Sequence, residues 1–159
     1  MNRNLVVMIP VFNDWGSSYI LFRRLNEVLS LRQVPAVLII IDDGSDRTFD
    51  PDQFDLSDGS GIDSIIVLRV NRNLGHQTAL AVGLAYLNDQ NVPESVLVMD
   101  GDGEDDPDDV AMLLRCAEKN PGALVFAERA QRSEPLIFRM LYQCYKLFFA
   151  FLLGNGWVW

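Results

Sequence analysis

Positive charge, histidine, cysteine and an unbroken apolar run are all scarce in this sequence, and each shortage narrows what the chain can do. Lys and Arg number 13 against 22 Asp and Glu, a formal net charge of -9. Such a chain repels duplex nucleic acid unless a strong basic patch offsets it, and no such patch is visible, so no nucleic-acid partner is expected. The two cysteines, Cys116 and Cys144, lie far apart without CxxC spacing. Both fall in stretches of helical pattern and are expected as buried free thiols of a reducing compartment. His76 is the single histidine. A general base needs an orienting partner, which the sequence does not point to, so His76 is expected as a local hydrogen-bonding residue.

The apolar run after Met1-Asn2-Arg3-Asn4 is short, meets Pro10 and lacks a small-residue cleavage site; it reads as a strand and not as a signal peptide. The greasy stretch from Leu136 to Leu153 is interrupted by Arg139, Gln143 and Lys146. That argues against an ordinary spanning helix of about 20 apolar residues. At i, i+4 and i+7 the three polar residues form one stripe on a helix, beside Leu136, Ile137, Met140, Leu141, Leu147 and Phe148. Two readings stay open: a membrane-interfacial helix, or a core-packing amphipathic helix whose mate belongs elsewhere.

With 159 residues, 49% of them hydrophobic and 22% charged, the chain suits one folded domain with a substantial core. Short β-rich apolar runs at Leu5 to Ile9, Val37 to Ile41, Ser64 to Val70, Val96 to Met99 and Ala123 to Ala127 read as strands. Helical patterns alternate with them. A first helix from about Ser17 to Leu29 aligns Leu21, Leu25, Val28 and Leu29; a second, from about His76 to Asn88, aligns Leu80, Leu84 and Leu87. A third begins where Asp106 can cap it and Pro107 is preset for the first helical position, with Val110, Leu113, Leu114 and Ala117 on its buried face. Asp50 to Gly61 reads as a surface loop with at most one helical turn.

Alternating strands and helices predict an α/β fold: a mostly parallel sheet with right-handed crossovers and helices on both faces. Such sheets bind ligands beyond the carboxyl ends of their strands. The polar residues that follow the strands, Pro10 to Asp14, Asp42 to Ser45, Asn71 to His76, Asp100 to Glu104 and Glu128 to Arg132, therefore converge on one edge.

Among them, Asp100-Gly101-Asp102 follows a strand directly, and the glycine lets two carboxylates turn toward one point. Hard oxygen ligands on a short turn suit Mg2+ or Mn2+, with Glu104 as a third oxygen, and such a cation would bridge to a phosphate. A polar loop leading into a capped helix is the plainer alternative, above all for Asp105 to Asp109. Asp43 could accept hydrogen bonds from a base or ribose while Gly44-Ser45 makes the turn. Asn13 sits in a rigid exit from the first strand that could equally be a helix cap. Asn73 and Arg72 precede a helix start, where an anion is favoured. Arg129 and Arg132 carry guanidinium forks that match phosphate oxygens, and Arg139 is a cation within greasy surroundings.

Taken in order, Ile9-Pro10-Val11-Phe12-Asn13, Asp42-Asp43-Gly44-Ser45, Asn71-Arg72-Asn73-Leu74-Gly75-His76, Asp100-Gly101-Asp102 and Arg129 to Arg132 resemble the successive signatures of family 2 glycosyltransferases of the GT-A, Rossmann-like fold. The resemblance is nearest to the branch that loads sugars onto polyprenyl phosphates. It implies a nucleotide-sugar-binding domain over residues 1–135, an amphipathic, membrane-interfacial helix over 136–153 and a tail over 154–159. It implies Pro10, Asn13, Asp43, Asn73 and Asp100 at the nucleotide, with Asp100 and Asp102 catalytic and, with Glu104, at Mg2+ or Mn2+. Arg129 and Arg132 would meet the diphosphate and Arg139 the acceptor phosphate. The implied reaction moves a sugar with inversion from a UDP- or GDP-sugar to a lipid phosphate, at the cytoplasmic face of a membrane.

Three departures accompany the resemblance. Glu104 stands where relatives often carry Gln, which implies tighter cation dependence, and Gln143 stands where they place Ser. Relatives also continue past the interfacial helix, whereas this sequence stops at Trp159, so a non-catalytic nucleotide- and metal-binding module is the alternative expectation. A phosphoacceptor receiver domain fits poorly, because its acidic pair follows the first strand and a Lys follows the fifth.

Overall fold

The computed structural model describes residues 5–54, 61–90 and 95–127. The chain divides into two compact units, Met1–Ala123 and Leu124–Trp159. All described strands and helices lie in the first: β1 (Leu5–Val11), α1 (Trp15–Leu31), β2 (Ala36–Asp42), β3 (Ile62–Arg69), α2 (His76–Asp89), β4 (Ser95–Val98) and α3 (Val110–Lys119), with 3-10 turns at Pro51–Gln53 and Pro107–Asp109. Apart from Ala123–Ala127, each strand and helix expected within the described residues is present.

The four strands form one parallel sheet in the order β3-β2-β1-β4. β1 is buried along its whole length, and β2 nearly so, as expected of inner strands covered on both faces. Alternate side chains of β1 divide the core. Leu5, Val7, Ile9 and Val11 join Leu38 and Ile40 of β2 against α1, whose Leu21, Phe22, Leu25 and Leu29 are all buried, and Val110 of α3 closes this side. Val6 and Met8 join Ile39 and Ile41 on the opposite face, under Ala79 and Leu87 of α2. Helices therefore cover both faces of the sheet.

Three local expectations change. The inward stripe of α2 is Ala79, Gly83 and Leu87, while Leu84 is 51% exposed. A Cβ at residue 83 would lie 2.5 Å from Met8 Sδ and 2.7 Å from Ile41 Cδ1. The helix thus sits so close to the sheet that small residues take the contact face and turn the leucine outward. Ala123 to Ala127 forms no strand. Leu124 and Phe126 are 86% and 83% exposed, and with no strand among the described residues hydrogen-bonded to them, β-forming residues alone do not make one. Cys116 is an exposed free thiol, because it falls on the solvent side of α3 beside Met112 and Arg115, opposite buried Val110. Cys144 lies outside the described residues.

Among the described residues no helix is long and apolar enough to cross a membrane. The stretch 136–153 lies outside them.

Candidate functional site

Passing from β3 to β4 carries the chain across β1 to the sheet's other side, so neighbouring strands β1 and β2 lead one way and β4 the other. A parallel sheet opens a crevice at such a switch, beyond the carboxyl ends of the strands. Here that place is a cleft of about 190 Å³ lined by Pro10, Phe12, Ser18, His76, Asp100 and Asp102, among others. Of the residues singled out from sequence, Pro10, Asp100 and Asp102 meet in it.

The turn that bears the two carboxylates is held from several sides. The Asp100 N–H donates to Asp105 Oδ2 at 2.8 Å, and the Glu104 N–H donates to Asp102 Oδ1 at 2.9 Å. The Ser18 hydroxyl, fully buried on α1, lies 3.2 Å from the Gly101 carbonyl and 2.7 Å from that of Asp14. A Cβ on Gly101 would sit 2.8 Å from the Pro10 carbonyl oxygen, so this glycine lets the turn pack against the end of β1. The left-handed bend comes at Gly103 instead, at φ 80°.

The acids further on anchor the next helix. Asp106 caps the 3-10 turn by accepting from the Asp108 N–H, and Arg24 of α1 bridges to Asp108 at 2.8 Å and Asp106 at 3.1 Å. The Asp108 hydrogen bond, helped by the charge of Asp106, raises the Arg24 pKa above its ordinary value. The plainer reading of Asp106 and Asp108, a solvated loop capping a helix, is the one the structure bears out.

The paired acids at the end of β2 have distinct jobs. Asp42 is fully buried; its Oδ1 accepts from the Ser45 N–H at 2.8 Å, and its Oδ2, without a hydrogen bond, lies 3.5 Å from Arg69 Nε. Asp43, 3% exposed, accepts the Leu74 N–H on Oδ1 at 2.8 Å and the Gly75 N–H on Oδ2 at 2.9 Å. Its carboxylate thus fastens the loop before α2 to the end of β2, where the sequence suggested contact with a nucleotide.

Asn13 and Asn73 are likewise tied into the loops. Asn13 takes a left-handed φ of 58°, donates its N–H to Ser45 Oγ and accepts from the Asp46 N–H. Asn73 Oδ1 accepts from the Gly75 N–H at 2.8 Å. Asp14 caps α1 by accepting from the Ser17 N–H.

The cleft also holds His76, expected from sequence only as a local hydrogen-bonding residue. His76, the first residue of α2, brings Nε2 within 3.4 Å of Asp100 Oδ1. The signal was present: the loop after β3 had to open on the same edge as the turn after β4, and His76 ends that loop.

Asp100 is half exposed to the cleft and Asp102 is exposed beside it, a hard-oxygen pair of the kind Mg2+ or Mn2+ takes together with substrate phosphates. Among the described residues no three His, Cys, Asp or Glu side chains gather as a cation site, so Asp100, Asp102 and Glu104 do not converge as a set. Two carboxylates suffice for a cation that keeps water and phosphate ligands, and the donor chemistry fits it. Arg129, Arg132 and Arg139 lie outside the described residues. A larger recess, about 700 Å³, lies between the start of α1 and residues 46–53, walled by Trp15, Tyr19 and Phe49. Its aromatic rings serve the loop: Trp15 Nε1 donates to the Arg47 carbonyl, and the Tyr19 hydroxyl accepts from the Asp50 N–H. The smaller cleft, lined by both Asp100 and Asp102, is the candidate site.

The profile of Glycosyl transferase family 2 matches residues 6–156. The chain belongs to that family. It is 32% identical over 142 residues to the undecaprenyl-phosphate 4-deoxy-4-formamido-L-arabinose transferase of Pectobacterium carotovorum subsp. carotovorum (strain PC1), covering 87% of this chain and 40% of that protein. The protein of the same description from Yersinia enterocolitica serotype O:8 / biotype 1B is 26% identical over 134 residues, covering 84% and 39%. The uncharacterized glycosyltransferase YkcC of Bacillus subtilis (strain 168) is 28% identical over 152 residues, covering 93% and 43%. The chain thus spans about two fifths of the length of these family members. Family membership agrees with the sheet: mostly parallel, Rossmann-like, with helices on both faces.

Proposed function

We propose that the chain is the donor-binding part of an inverting glycosyltransferase that moves a sugar from a UDP- or GDP-sugar onto a polyprenyl phosphate. The observation that carries this reading is the meeting of Pro10, Asp100 and Asp102 in one cleft at the switch point between β1 and β4. The relatives described as undecaprenyl-phosphate transferases support the acceptor class.

The acceptor phosphate is already an anion at neutral pH, so its oxygen attacks the anomeric carbon without a general base. The new C–O bond forms on the face opposite the nucleoside diphosphate, whose C–O bond breaks with the electron pair leaving on the diphosphate oxygen. Asp100 and Asp102 would hold Mg2+ or Mn2+, which when bound would offset the charge of the leaving diphosphate. The turn fixed by Asp105 and Ser18 keeps the two carboxylates at the crevice, and Pro10 forms the wall toward the nucleotide. Asn13, Asp43 and Asn73, whose polar groups fix the neighbouring loops, are proposed on the nucleotide side of the site. Arg129 and Arg132 are proposed to meet the diphosphate and Arg139 the acceptor phosphate, with residues 136–153 against a partner protein or the cytoplasmic face of a membrane.

Thermal melts with UDP, GDP and CDP, with and without Mn2+, test the reading, because a ligand specific to the folded state raises the melting temperature. One nucleotide should stabilise the chain only when Mn2+ is present, and Asp102→Asn should abolish the effect. A cooperatively melting chain that no nucleotide stabilises would overturn the donor-site assignment.

A further inference from the structure

We infer that His76 is a positioning residue: with its proton on Nε2, it orients the Asp100 carboxylate for the cation, an inference that rests on the donor-site reading above. Two independently built walls of the cleft bring the pair together. On one wall, the loop before α2 is fixed at three points. Asp43 grips the Leu74 and Gly75 N–H groups, and Asn73 Oδ1 adds a second acceptor for Gly75. Gly44 packs so tightly that a Cβ there would lie 2.5 Å from the Arg72 carbonyl carbon. The chain then turns through Gly75 at φ 86° and delivers His76 as the first residue of α2.

On the other wall, Asp105 Oδ2 holds the Asp100 N–H, which fixes the backbone but leaves the Asp100 side chain to rotate. The group facing it is His76 Nε2, 3.4 Å from Oδ1, with both side chains about half exposed. That distance is long for a hydrogen bond and, on this inference, shortens when Asp100 ligates the cation. The fold has no need of the imidazole: His76 is exposed, and α2 is buried through Ala79, Gly83 and Leu87. Holding one oxygen of Asp100 leaves the other for a cation and removes rotational freedom that binding would otherwise have to remove. Hydrogen-bonding partners of ligating carboxylates typically account for about 10- to 100-fold in metal affinity.

The experiment is a Mn2+ titration followed by the electron paramagnetic resonance signal of the free ion, in the presence of whichever of UDP, GDP and CDP stabilises the wild-type chain. His76→Ala should weaken Mn2+ binding about tenfold, at the lower end of that range, with the melting temperature of the unliganded chain unchanged. His76→Gln, which restores a side-chain N–H donor, should recover a good part of the loss. Wild-type Mn2+ affinity in His76→Ala would overturn the inference and leave the donor site standing, as would a loss that Gln does not recover. Failure of the wild-type chain to take up Mn2+ with any of the three nucleotides would overturn both.

Discussion

Asp43→Asn separates two roles for the second acid after β2, that of a nucleotide ligand and that of a strut. The carboxylate accepts two backbone N–H groups, at 2.8 and 2.9 Å, on different oxygens and in a nearly fully buried position. Asn keeps the size but has one acceptor oxygen, so one of the Leu74 and Gly75 amides would face an NH2 group. A hydrogen bond to a charged group contributes about 1.5–3 kcal/mol, and a buried donor left unsatisfied costs about 1–3 kcal/mol. These are two descriptions of overlapping losses, so the expected destabilisation is about 3 kcal/mol rather than their sum. Urea unfolding followed by circular dichroism measures it, with Asp46→Asn as an exposed control expected within about 0.5 kcal/mol of wild type. A loss under about 1 kcal/mol at residue 43 would refute the strut. If nucleotide binding vanished in that stable variant, Asp43 would be a direct ligand contact after all.

Gly44→Ala should lose at least about 2 kcal/mol in the same assay: the left-handed backbone alone costs an L-residue about 1–2 kcal/mol, and the new Cβ would press on backbone atoms that cannot swing away. Wild-type stability would mean that the turn after β2 does not pack on residues 72–73. Native chain treated with a thiol-reactive disulfide should be modified at Cys116 without denaturant, at a rate near that of a small free thiol, as mass mapping of the labelled peptide would report. Protection of Cys116 until the chain unfolds would contradict its place on the solvent side of α3.

Much of the fold was legible because inner parallel strands announce themselves. Leu5–Val11 and Ala36–Asp42 are nearly unbroken apolar runs, and they are the two strands covered on both faces. The start of α3 was legible for a local reason, since a cap and a proline act within a few residues of themselves. What depended on distant neighbours was not. Nothing near Leu84 shows that Met8 and Ile41 leave room only for Gly83, and hydropathy alone does not decide on which side of an amphipathic helix a cysteine falls. At the site, the carboxylates were legible as a motif, but their surroundings were not. Asp43 looked available until the amides 31 and 32 residues away came to it, and His76 looked partnerless because Asp100, 24 positions further along the chain, is brought to it by the switch in strand order.

That strand order also sets a sequence of events during synthesis. β1, β2 and β3 can pair once residue 69 is available, and they bury most of β1 and β2, but one long edge of β1 then stays unpaired until β4 arrives after α2. The β1–β4 seam joins residues about 90 positions apart, the kind of non-local closure that is slow and that exposes a strand edge to other chains meanwhile. The cleft is made at that same seam, so a nascent chain has no such cleft until β4 has paired with β1. A ligand that bridged the two walls would act as a clasp on that seam, holding β4 against β1.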